Sequence, residues 1–78
     1  MQTSIYTKEH KRLCALLREK RLAANLMQDE FGKILGWSQQ AVSDYETGKR
    51  QIDFVQFLQF CEVLGLDPHD MLAEVLGR

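Results

Sequence analysis

The sequence predicts an all-α domain of five short helices, and two observations carry that prediction. Apolar residues recur at three- and four-residue spacing along most of the chain, and no segment shows the strict alternation of a half-buried strand. Between the periodic segments stand residues that start or stop helices. Thr7, Ser38, Asp53 and Asp67 suit the capping position before a helix, and Gly36, Gly48 and Gly65 suit the left-handed position after one. With 78 residues, 45% of them hydrophobic, the chain suits one domain around one core.

Residues 1–6 lack periodicity and read as a flexible N-terminal arm; residues 7–78 read as the single domain. The first helix is expected from about Lys8 to Ala24. Thr7 caps it, Glu9 lies in the first turn where the helix dipole favours an acid, and Leu13, Leu16, Leu17 and Ala24 recur on one side. Asn25 suits the left-handed stop, and Leu26 docks the turn. The second helix is expected from Gln28 to Leu35, with Phe31 and Leu35 on one face and Ile34 beside them. Gly32 in mid-helix costs about 1 kcal/mol relative to Ala, so a neighbouring helix is expected very close to it.

Gly36 ends that helix, Trp37 bridges the turn against the edge of the core, and Ser38 caps the third helix, Gln39 to Glu46 or Thr47. Val42 and Tyr45, helped by Ala41, anchor it, while Gln39, Gln40, Ser43, Asp44 and Thr47 form the other side. The fourth helix follows Asp53. Phe54, Phe57, Leu58, Cys61 and Leu64 form its expected core stripe, and Val55, Phe60 and Val63 widen the apolar surface. Asp67-Pro68 opens the fifth helix, with Met71, Leu72, Val75 and Leu76 as its packing face. Phe60, Val63, Met71 and Val75 suit a core and a self-association surface equally well.

The net charge of −1 is unlike the strongly basic balance common in nucleic-acid modules. The charge is unevenly placed, however. Residues 7–25 carry +4, residues 26–50 carry −1 and residues 51–78 carry −4, a polarity that can orient a protein on a polyanion. Cys14 and Cys61 lie far apart in apolar surroundings, with no CxxC, and read as two buried thiols in a reducing compartment. The start MQTSIYTKEHK has no apolar core of a signal peptide, and no apolar run approaches the ~18 residues of a membrane span; a cytoplasmic protein is expected. His10 and His69 have no ligand company, so neither metal nor cofactor is expected. No nucleophile–base pair, phosphate-cradling glycine loop or carboxylate dyad appears, so the chain is not expected to be an enzyme.

The third helix buries few residues and shows water an unusual set of amides and hydroxyls, the mark of a helix held out for a partner. A glutamine amide carries a donor and an acceptor at the separation of adenine N6 and N7 in the major groove. Around it stand Leu17-Arg18 with Arg21, Leu26-x-Gln28, Leu35-Gly36-x-Ser38, Val42-Ser43-x-x-Glu46-x-Gly48-Lys49, Leu64-Gly65 and Leu72. In this order and at these spacings the chain, from about Leu17 to Leu72, resembles the Cro/phage-repressor-like helix-turn-helix family, the XRE type of bacterial regulator.

The resemblance implies a compact five-helix, lambda-repressor-like DNA-binding domain whose helix-turn-helix spans about residues 28–47. It implies a sequence-specific transcriptional regulator, expected to be a repressor, that binds double-stranded DNA as a homodimer on a two-fold operator. Gln28 matches a position that touches phosphate. Gln39, Gln40, Ser43 and Asp44, after Ser38 at the cap, match base-facing positions, and Thr47, Lys49 and Arg50 match a backbone-gripping loop. Arg21 and Glu46 match a salt bridge tying the first helix to the end of the third.

Three residues depart from the family pattern. Met27 stands where Ser or Thr is usual, Asp44 where many members carry a basic or neutral residue, and Gly32 in place of a common Ala. Asp44 and the low net charge leave room for an alternative, a protein-interaction module of the same fold such as an antitoxin-like or adaptor subunit.

Overall fold

The computed structural model describes residues 7–78, so the expected arm at 1–6 lies outside the described residues. Five helices follow in order: α1 Lys8–Ala23, α2 Gln28–Leu35, α3 Gln39–Thr47, α4 Phe54–Leu64 and α5 Pro68–Val75. Among the described residues no helix is long and apolar enough to cross a membrane.

The helices begin and end where local chemistry requires. Thr7, Ser38, Asp53 and Asp67 each accept a backbone N–H of the first turn that the helix cannot satisfy itself. Met27, at the start of α2, has no such oxygen. Half of a capping box remains, because Glu30 Oε1 accepts from Met27 N at 2.9 Å. Asn25 takes the left-handed conformation at φ 59°, as its place after α1 suggests.

The core is centred on Phe31, Phe60, Cys61 and Met71, contributed by α2, α4 and α5. Phe31 and Phe60 meet edge to face with centroids 5.3 Å apart. Leu16 and Leu17 bring α1 onto this centre, and Ala41, Val42 and Tyr45 bring α3. Both cysteines are free and buried. Burial pushes both thiols up from their ordinary pKa, with the Asp67 charge adding to the rise at Cys61, so both sit in their less reactive protonated form. His10 is half-buried, its Nε2 3.5 Å from Cys14 Sγ.

The structure corrects the packing of α4 and α5. The buried residues of α4 are Phe57, Phe60 and Cys61, with Leu64 partly buried, while Phe54 at 69% exposure, Val55 at 67% and Leu58 face out. On α5, Met71 and Val75 are buried and Leu72 and Leu76 are exposed. α4 is apolar nearly all round, so periodicity could not choose between two adjacent stripes; the position of Phe31 on α2 decides. Ile34 and Val63 are exposed as well. Phe60, Met71 and Val75 belong to the core.

Gly32 also has a cause other than the expected one. A Cβ there would lie 2.6 Å from the carbonyl oxygen of Trp37. The close approach comes from the backbone of the α2–α3 turn, which folds back over the helix, and Trp37 N donates to Gly32 O at 2.8 Å.

Candidate nucleic-acid interface

α3 has two unlike sides because its sequence alternates small apolar anchors with polar residues at helical spacing. Ala41, Val42 and Tyr45 are buried, whereas Ser38, Gln39, Gln40 and Thr47 are exposed and Ser43 and Asp44 half-exposed. Ser38 Oγ accepts from Ala41 N at 3.1 Å, which starts the helix sharply at Gln39. Gly48, at φ 83°, ends it and turns Lys49 and Arg50 outward to solvent.

Three contacts fix the helix in place. The first is ionic. Arg21 is only 5% exposed, and its guanidinium grips Glu46 with Nε on Oε2 at 2.6 Å and Nη2 on Oε1 at 3.0 Å. Arg21 Nη1 also donates to Leu26 O at 2.7 Å, and Gln28 Nε2 donates to Glu46 Oε1 at 3.1 Å. The expected pair is formed and is buried, and it joins α1, the α1–α2 turn, α2 and α3. Gln28, expected at phosphate, has its amide nitrogen on this network and is half-buried.

The second contact is the Tyr45 hydroxyl, which donates to Gln56 Oε1 at 3.1 Å. The same oxygen accepts from Asp53 N at 3.2 Å, so α3 is tied to the capping box of α4. The third is aromatic. Trp37 packs edge-on to Tyr45 at 5.2 Å, in keeping with its expected place at the core's edge, and the Arg50 guanidinium lies 5.3 Å over the Tyr45 ring. That stacking holds one of the two loop cations against the end of α3.

The outer side carries its own hydrogen bonds. Thr47 Oγ1 donates to Ser43 O at 2.9 Å, leaving its oxygen lone pairs for a donor. Gln40 Nε2 donates to Asp44 Oδ1 at 2.9 Å. Asp44 takes part in no salt bridge among the described residues.

The expected site residues thus divide. Ser38, Gln39, Gln40, Ser43, Asp44 and Thr47 lie along the exposed side of one helix, with Lys49 and Arg50 at its end; Gln28, Arg21 and Glu46 form the buried joint behind it. Sequence reasoning missed Gln56, which anchors Tyr45 from the next helix. Its signal was present in Asp53-x-x-Gln56, the pattern of a capping box. Among the described residues no group of three or more His, Cys, Asp or Glu side chains could hold a metal ion.

Comparison with known proteins agrees with this fold. A family model described as a helix-turn-helix domain matches residues 12–75. Among solved structures, an XRE-family like protein from Pseudomonas syringae pv. tomato str. DC3000 is 35% identical over 88% of this chain and 84% of that one, with a TM-score of 0.79. The clp gene regulator ClgR from Corynebacterium glutamicum is 24% identical, with a TM-score of 0.79 and 91% of each chain covered, and shares the fold. A search of curated proteins gives no match. Family match, fold and the 35% identical relative together place this chain in the XRE-type helix-turn-helix family.

Proposed function

We propose that this protein is a sequence-specific DNA-binding transcriptional regulator that lays α3 in the major groove of a two-fold operator. One observation carries the reading: α3 exposes a continuous row of amides, hydroxyls and one carboxylate while three separate contacts hold it rigid from behind. A groove-reading helix needs both properties, since base contacts discriminate only when the side chains arrive in fixed register. Membership in a helix-turn-helix family, with a gene regulator among the structural neighbours, supports the same reading.

Gln39, Gln40, Ser43 and Asp44 take the base-facing role, and Lys49, Arg50 and Thr47 the phosphate-facing role, with Ser38 at the helix start beside the backbone. Gln28 supports the joint and offers its remaining amide capacity to phosphate. Repression follows from occupancy, because a bound domain excludes other proteins from the same DNA.

Two half-sites lie about 34 Å apart on DNA, while the domain is 36 Å at its longest and carries one α3. A second copy must supply the second reading helix. The apolar groove where Phe54 of α4 and Leu72 of α5 lie with Leu13 and Ile52 is the face we assign to that copy, since it lies on elements other than α3. The alternative, a protein-interaction module of antitoxin-like or adaptor type, is favoured by Asp44, whose charge repels phosphate, and by the same apolar face.

The test is selection from mixed genomic DNA at two salt concentrations, with the mass in solution measured alongside. Retained specific fragments and a dimeric mass are expected, with affinity falling as salt rises. No fragment enriched over bulk DNA at either salt would overturn the regulator in favour of the interaction module.

A further inference from the structure

Asp44 is the residue of α3 least suited to a phosphate-rich partner, and among the described residues its carboxylate bonds only to Gln40, one helical turn earlier. We propose that Gln40 and Asp44 act as one oriented base-reading couple, which accepts adenine and refuses guanine at a single position of each half-site. The proposal rests on the major-groove reading given above and names what part of that groove it recognises.

The couple's chemistry follows from the amide. A carboxamide has an oxygen end that accepts and a nitrogen end with two N–H donors, and an exposed glutamine can present either end. Here the nitrogen end faces Asp44 Oδ1 at 2.9 Å. The opposite orientation would set the amide oxygen against a carboxylate oxygen, so the carboxylate favours the orientation with the nitrogen end toward it. One N–H is then taken by Asp44. Gln40 Oε1 and the second N–H remain for a partner.

One acceptor beside one donor is the complement of adenine, which offers N6–H and N7 in the major groove. Guanine offers N7 and O6, both acceptors. A free glutamine can meet those two acceptors with its two N–H bonds, but Gln40 has only one left. The Asp44 carboxylate, with no salt-bridge partner among the described residues, adds repulsion toward a second acceptor. Gln39 is the internal control. It has the same side chain one position earlier, and among the described residues no hydrogen bond holds its amide.

The experiment begins with selection of wild-type sites from a randomised duplex library. Competition binding then compares four duplexes that differ at the one base pair whose preference Gln40→Ala abolishes. Wild type is expected to favour adenine over guanine there by roughly tenfold or more. Asp44→Ala is expected to bring that ratio to within about threefold, chiefly by a gain for guanine. In the Gln40→Ala background, Asp44→Ala is expected to leave the ratio unchanged.

If Asp44→Ala instead raises affinity equally for all four duplexes and keeps the adenine preference, the carboxylate is a repulsive charge only, and the couple is overturned while the regulator stands. If the wild-type protein enriches no sequence from the library, the regulator reading itself fails, and the couple fails with it.

Discussion

Two carboxylates two residues apart on α3 come to opposite uses. Glu46 faces inward, 4% exposed at its side chain, and holds three donors from Arg21 and Gln28. Asp44 faces outward and holds one amide. Both are hydrogen-bonded acids on the same helix, yet only solvent decides what the bond accomplishes. Inside, where water cannot replace a lost partner, the bond becomes a condition of folding. Outside, water competes for every donor, and what survives is a preference for one side-chain orientation. That contrast separates the residues that hold the helix from those that read with it.

The sharpest way to break the contrast is at the buried end. Glu46→Ala strands the Arg21 guanidinium in the core with only Leu26 O as partner. The expected loss is about 3–5 kcal/mol, seen as a lower midpoint in urea unfolding. The double replacement Arg21→Met with Glu46→Leu is expected to cost less than either single truncation, because no buried charge is left unpaired. Equal and additive losses would mean that the pair is wetter than its burial shows.

Gly32→Ala tests the turn that sets α3 at its angle. Helix propensity favours the alanine by about 1 kcal/mol. The added Cβ would lie 2.6 Å from the Trp37 carbonyl oxygen, a backbone atom with little freedom to move. Overpacking of that kind costs about 1–3 kcal/mol, so a net loss of stability is expected by thermal unfolding, with DNA affinity falling as the turn shifts. A gain in midpoint would show that the turn relaxes readily and does not fix the angle.

These two sites also show what the sequence could and could not disclose. The helix ends were legible because each is decided by its own few residues: Thr7, Ser38, Asp53 and Asp67 as caps, and Asn25, Gly36, Gly48 and Gly65 as left-handed stops. The exposed row of α3 was legible from spacing for the same reason. The facing of α4 was not, since Phe54, Phe57, Leu58, Phe60 and Cys61 give two overlapping apolar stripes and only the partner Phe31 selects one. Nor was the crowding at Gly32, which depends on how a turn five residues later folds back. The Arg21–Glu46 pair was legible through the family resemblance; its burial, which sets its energy, was not.

A smaller effect is expected at Tyr45→Phe. The ring stays against Trp37 and under Arg50, and only the hydroxyl bond to Gln56 is lost. The expected cost is about 1 kcal/mol in urea unfolding, since Gln56 Oε1 keeps its bond from Asp53 N. A loss several times larger would make this tether, rather than the ionic joint, the main hold on α3.

The smallest change in stability is expected at Asp44→Ala. The carboxylate is only half-buried and its side-chain bond is to an exposed amide, so urea unfolding is expected to move by no more than about 0.5 kcal/mol. Set beside Glu46→Ala, the pair of results separates the two roles: one variant loses stability through the joint behind α3, while the other keeps its stability and changes what the helix reads. A loss at Asp44→Ala comparable to that at Glu46→Ala would erase the distinction between the two faces. The outer hydrogen bond would then be part of the scaffold, and rigidity would extend through α3 to the side that meets DNA.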